Sequence, residues 1–213
     1  MKFQKLQGVL LTALFILVGT LSVSAQSTTQ QAPEVKARQE DETNLDTQLY
    51  LIVGTNQTVA DEKLPAFLDP VVKQLRATLS FKNYRLAATL LNRVKNEGRL
   101  DLSWIGGPMA AGGSTSVITP SFSQFKVRQV RLARNAAGEQ IVQMAGFNFG
   151  ARIPIQVGVV AAAGGVPATN YENTGLSTDI SIREGEPVIV GTLNIGPSGD
   201  AIILVVSAKR TGR

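Results

Sequence analysis

Four carboxylates, Asp179, Glu184, Glu186 and Asp200, come nearest in type and spacing to a chemical site. Carboxylate oxygens are the ligands a hard cation such as Ca²⁺ takes. These four lack the tight Asp-x-Asp-x-Asp spacing of a cation loop, and turn chemistry with a wet strand face accounts for them. Asp101 and Ser103 flank Leu102 near Trp104, but the chain holds no histidine to serve as the usual general base. Cysteine is absent too, which removes disulfides, thiol nucleophiles, thiolate and imidazole metal sites and every Ser-His or Cys-His pair. Residues 106–116 (GGPMAAGGSTS) are glycine-rich, yet no Gly-Lys-Ser/Thr ending follows and no helix opens behind them. They are a loop or linker and not a phosphate cradle. Tyr84, Trp104, Phe147, Phe149 and Tyr171 would form a ligand or carbohydrate platform if they met on a surface. In a small β domain, core packing is the simpler role for them. No catalytic, metal or cofactor residue is therefore expected, and the chain is expected not to be an enzyme.

With 44% hydrophobic and 17% charged residues, the 213-residue chain has the composition of an ordinary globular protein. It opens with Lys2 and Lys5, an apolar run over residues 8–18, and small side chains at Val23 and Ala25. That is the pattern of a secretory signal peptide over residues 1–25, cleaved before Gln26, the alternative being a retained anchor. The run is shorter than the roughly 20 residues a membrane-spanning helix needs. Removing a segment with two lysines and no acid takes the formal charge from +5 to +3. Arg128, Arg131 and Arg134 make the one basic cluster, spaced as a solvated strand face, so nucleic acid is not an expected partner. An exported chain without cysteine must be held by its core alone.

Residues 26–46 are rich in Gln, Thr and charge and poor in large apolar groups, the composition of a disordered leader. Residues 47–105 read as a small α+β module. A strand over 47–53 comes first, then a helix opening at Asp69-Pro70, with Asp69 as cap and an apolar stripe through Val71, Leu75 and Leu79. A strand over 83–94, a turn at 95–98 and an alternating strand over 99–105 complete it. Residues 106–121 form a Gly/Ser-rich linker. From 122 to 213 the pattern is all strand. Alternation slips at Arg128 and Gln129, which suggests a bulge. A short strand over 152–157 carries Pro154 at an edge or bulge, and 158–170 reads as a second small-residue loop. Residues 176–183 and 187–194 form a hairpin, and 201–208, apolar on both faces, form a central strand or sandwich core. The expected fold is mainly β with one helix, an α+β class with an antiparallel β domain.

The last third carries a succession of phrases. Residues 142–155 (VQMAGFNFGARIPI) resemble the opening of the bacterial outer-membrane secretin core, where a vG-x-x-iPi phrase is common. Residues 170–176 (NYENTGL) are similar to the y-x-x-x-G-l phrase ahead of a secretin strand, and 183–193 (REGEPVIVGTL) to the dGe-x-vv-x-GgL turn and strand. The resemblance covers about residues 141–209, and the strand–helix–strand–strand unit resembles the small periplasmic modules that precede such a core. Secretins carry a long gate insertion after the GgL strand; here residues 194–200 close that gap directly.

The resemblance implies an exported structural or interaction protein of the periplasm or outer membrane, an accessory or assembly part of a secretion or pilus system. It would act with a protein partner or with further copies of itself. A minimal oligomeric channel subunit and a soluble periplasmic ligand-binding module are the alternatives. On the matched positions it marks Arg152, Pro154, Gly175, Gly185 and Gly191 as the turn and core residues of the motif. Glycine alone tolerates positive φ at a tight turn or bulge.

Overall fold

The computed structural model describes residues 42–58, 64–107, 119–160, 166–195 and 199–211, the side chains of 156–168 excepted. The expected signal segment, the leader up to residue 41 and most of the expected linker lie outside the described residues.

Two strands are apolar on both faces, and this sets the architecture. In β1 (Asn44–Thr55) and β8 (Asp200–Arg210) a long run of consecutive residues is buried. A strand can satisfy that only with a layer packed on each side. β1 and β8 pair at the centre of a four-stranded antiparallel sheet, flanked by β2 (Asn83–Lys95) and β7 (Val188–Ile195) in the order β2-β1-β8-β7. One face of this first sheet, through Tyr50, Ile52, Ile203 and Val205, meets Val71 and Leu75 of helix α1 (Asp69–Thr78). The other, through Leu49, Leu51, Ile202 and Leu204, meets a second antiparallel sheet. That sheet has the order β3-β4-β5-β6, from β3 (Gly98–Gly106), β4 (Ser121–Arg134), β5 (Gln140–Val160) and β6 (Val166–Arg183). Phe125, Val127, Phe147, Phe149 and Ile182 fill the space between the sheets. The result is helix on sheet on sheet, mainly β with one α-helix among the described residues.

Both passages between the sheets are tied down. After β2 the chain turns through Glu97, whose φ is +65°, and the Glu97 N–H donates to the Val130 carbonyl at 2.8 Å. After β6 it turns through Gly185, φ +83°, whose N–H donates to the Ala208 carbonyl at 2.8 Å. Glu184 adds its carboxylate, which accepts from the Arg210 backbone N–H and Nε, both at 2.9 Å. The Arg210 guanidinium holds the Glu184 carboxyl below the usual carboxylate range, against the opposing effect of burial.

Several expected boundaries are corrected. Residues 47–105 and 122–213 are not two modules, because β1 hydrogen-bonds to β8 over ten register pairs, and residues from Glu40 onward form one compact unit. Folded structure starts at Asn44 and not at 47, since Leu45 is fully buried and Asp46 pairs with Arg93 at 2.8 Å. Asp69 does not cap the helix. A 3₁₀ turn over Ala66–Leu68 runs straight into it, leaving Leu68 at the cap position and Asp69 inside the first turn. The strand over 152–157 is not separate, and 158–170 is not mainly loop: β5 continues to Val160 and β6 begins at Val166, paired in one long hairpin. Beyond Arg152, β5 has β6 as its partner and no longer β4, so Pro154 sits where one side of the strand is open and its missing N–H leaves no ladder bond broken.

Candidate functional site

The carboxylates come apart in three dimensions. Asp179 accepts the Gly146 N–H, Glu184 pairs with Arg210, Glu186 lies past the turn, and Asp200 is buried at the start of β8. Among the described residues no group of three or more His, Asp or Glu side chains could hold a metal ion. The five aromatics do not form a platform either. Phe147 and Phe149 are fully buried between the sheets, Trp104 packs on Phe149, and Tyr84 lies under α1 with its phenol pushed up by burial. Tyr171 alone stands on the outer face of the second sheet.

Among the described residues no layer packs on that outer face, and register pairing orders it into rows. Asp101, Lys126, Asn148 and Ser177 make a polar row, with an ion pair of 3.1 Å between Lys126 and Asp101. The next row is Ser103, Gln124, Gly150 and Gly175, and beyond it come Ile105, Phe122, Arg152 and Asn173. Ile105 is 69% exposed and Phe122 40%. Gly150 supplies a floor without a side chain, and Ser103, Gln124, Phe122, Arg152 and Asn173 border an open depression of about 520 Å³. Phe122 packs on Tyr171 with ring centroids 5.9 Å apart, and the Arg152 guanidinium lies 5.5 Å from the Tyr171 centroid, a cation–π arrangement. The Tyr171 hydroxyl donates to the Pro120 carbonyl at 3.1 Å, tying the β5–β6 hairpin to the start of β4. Arg152 makes no ion pair among the described residues.

At mid-sheet the alternation breaks twice, side by side. Arg99 of β3 stands against both Arg128 and Gln129 of β4, the bulge marked by the slip in the sequence. Asp179 of β6 stands against Ala145 and Gly146 of β5, with Gly146 at φ +64° and packed under the Arg128 Cβ. The two bulges crease the sheet along one line. Arg131 donates to Gln143 at 2.8 Å, and Arg183 pairs with Glu139 at 3.5 Å.

The motif glycines differ in what constrains them. Gly185 has positive φ and open space around it. Gly175 and Gly191 are held by close approach: a Cβ on Gly175 would lie 2.8 Å from the Phe149 carbonyl oxygen, and one on Gly191 2.7 Å from Leu176 Cδ2.

One further property shows when sequence and topology are combined. Residues 102–125 and 153–171 contain no Asp, Glu, Lys or Arg, although 43 residues of average composition would carry about seven. The described parts of both stretches lie on paired strands of the second sheet, β3–β4 and β5–β6, whose connected ends are at the same end of the sheet, beyond the Ile105–Phe122–Arg152–Asn173 row. Asp101, Lys126, Arg152 and Glu172 bound them. Among the described residues no helix is long and apolar enough to cross a membrane, which leaves strands untouched by that test. In the sequence Phe122 marks the start of a strand, and the charge-free intervals are visible only in the spacing of charges along the chain.

No family model matches the chain, and no curated protein matches it. Solved structures do. They include the Salmonella SPI-1 type III secretion injectisome secretin InvG, at 10% identity over 80% of this chain and 65% of that one, with a TM-score of 0.33. The Klebsiella pneumoniae type II secretion system outer membrane complex of PulD, PulS and the PulC HR domain matches at 10% identity, over 80% and 39%, with a TM-score of 0.36. The V. cholerae type IV competence pilus secretin PilQ matches at 10%, over 80% and 58%, with a TM-score of 0.30. The chain thus spans less than two thirds of each of those chains. Superpositions this loose decide neither topology nor role.

Proposed function

We propose that the protein is an exported, non-catalytic structural component of the cell envelope, related to secretins, serving as an accessory or assembly part of a secretion or pilus system. It meets the outer membrane through one end of its second sheet. The observation that carries this reading is the pair of charge-free hairpins at that end, fringed by Phe122, Tyr171 and Arg152. An uncharged sheet end behind an aromatic and arginine fringe is the pattern of a strand structure entering lipid. The secretin-like phrases support the same reading, since they fall in order on β5, β6, the Gly185 turn and β7.

A second reading, a ring-forming channel subunit, is favoured by the two edges of the second sheet that have no strand partner among the described residues. β3 and β6 are antiparallel to their neighbours in a four-stranded sheet, so β6 of one copy and β3 of the next would again run antiparallel, and repetition would close a barrel. β7 and β8 form a hairpin across 196–199, where the secretin gate insertion would stand, so such a ring would lack that gate. The test is to separate soluble envelope extract from detergent-solubilised membrane and weigh the native particle by light scattering. Recovery in the membrane fraction supports the proposal, and a mass of many copies selects the ring. A monomer or dimer confined to the soluble extract would overturn both and leave a soluble binding module.

A further inference from the structure

We infer that the depression over Gly150 is a binding site for the anionic headgroup of a membrane phospholipid, with Arg152 as the charge that recognises it. The inference rests on the membrane-facing reading above and adds a lipid class to it.

The geometry points there in three steps. First, among the described residues Arg152 is the cation at the boundary of the charge-free end that makes no ion pair, whereas Lys126, on the opposite flank, is already occupied by Asp101 at 3.1 Å. A guanidinium forms two parallel hydrogen bonds to a phosphate, and Arg152 is exposed where a headgroup can reach it. Second, Arg152 is not free to wander. The Tyr171 ring lies beneath it, and that ring is itself fixed by Phe122 and by its hydrogen bond to the Pro120 carbonyl. Third, the surroundings suit an amphiphile. Ser103 and Gln124 offer hydrogen bonds on the side of the sheet body and Asn173 beside Arg152, while Ile105 and Phe122 expose apolar surface. A glycine floor lets a bulky headgroup approach the backbone, as a Cβ on Gly150 would meet nothing within 4 Å.

The experiment measures binding of the full chain to vesicles of neutral phosphatidylcholine and of the same lipid with about a third phosphatidylglycerol, for wild type, Arg152→Gln and Arg152→Lys. Neutral vesicles report the membrane reading; the increment from anionic lipid reports the headgroup site. One basic residue at an anionic surface is worth about five-fold in partitioning. Arg152→Gln should lose about that factor, or more if the hydrogen bonds are bidentate, on anionic vesicles while leaving neutral vesicles unchanged. Arg152→Lys should recover part of it. Equal binding of wild type and Arg152→Gln to anionic vesicles would overturn the inference with the membrane reading intact. So would an equal loss on both vesicle types, which would make Arg152 a packing residue. Failure of the wild type to bind either vesicle would overturn the membrane reading itself. A rise in melting temperature with inorganic phosphate alone, abolished in Arg152→Gln, would assign the site to a free anion and overturn the lipid source.

Discussion

Gly150 and Gly175 face each other across β5 and β6, and alanine at the two positions should have opposite effects. A methyl on Gly175 would sit 2.8 Å from the Phe149 carbonyl oxygen, a backbone atom that cannot rotate away. The two strands would have to part by roughly half an ångström at one of the longest pairings in the molecule. Overpacking of this kind costs about 1–3 kcal/mol, and the reduced freedom of the unfolded chain returns about 0.5–1 kcal/mol. The net expectation is a loss of about 1–2 kcal/mol, or a Tm lower by about 2–8 °C in a domain of this size. On Gly150 the same methyl meets nothing within 4 Å, so the entropic gain stands alone and Tm should hold or rise by up to about 3 °C. Thermal unfolding followed by far-ultraviolet circular dichroism measures both variants. Equal shifts, or a tolerated Gly175→Ala beside a damaging Gly150→Ala, would refute the β5–β6 register.

At Gly185, φ +83° with open space around it, the penalty is conformational and not steric. Gly185→Val should lower stability by about 1–2 kcal/mol and Gly185→Asn by much less, as read by urea titration; equal losses would mean the turn is misplaced. Leu204, fully buried between the sheets, should cost about 2–5 kcal/mol on truncation to alanine, seen as a lower urea midpoint, whereas a loss under 1 kcal/mol would contradict a central β8. The Glu184 carboxyl is held low by Arg210, so its contribution to stability is present above the ordinary carboxylate range near 4.3 and is lost as pH falls through the lower folded-state value. Glu184→Gln should therefore be less stable than wild type at pH 7, with the gap closing below about pH 4; a gap independent of pH would show that the pair does not act through charge.

The readability of this fold in its sequence follows from which physical effects are local. β8 could be recognised as central because residues 201–206 are apolar without alternation, and a strand wet on either side would not be. The stripe of Val71 and Leu75 is set by helical geometry within a few residues, and the bulge at Arg128 and Gln129 shows as a slip in a period of two. Partnership is not local. Nothing in residues 44–55 tells β1 that β8 lies beside it more than a hundred positions later, so the chain reads as two modules although it closes into one pair of sheets. The outer part of the β5–β6 hairpin is less legible for another reason. Residues 153–171 carry no charge, so the alternation of polar and apolar residues that betrays a strand is missing there. The same lack of contrast hid the candidate surface, where Phe122 stands between two serines as though it were an ordinary inward position.

Trp104 is the chain's single tryptophan and borders the uncharged end of the second sheet, which makes it a native reporter of where that end resides. Quenching of its fluorescence in vesicles whose acyl chains carry bromine near the headgroup tests the central claim most directly, because the readout is local to this end and indifferent to other routes of membrane attachment. Strong quenching, reduced by Phe122→Asp, is the predicted result. Emission unaffected by the brominated lipid while the protein is vesicle-bound would show that this end stays in water, and would contradict the account.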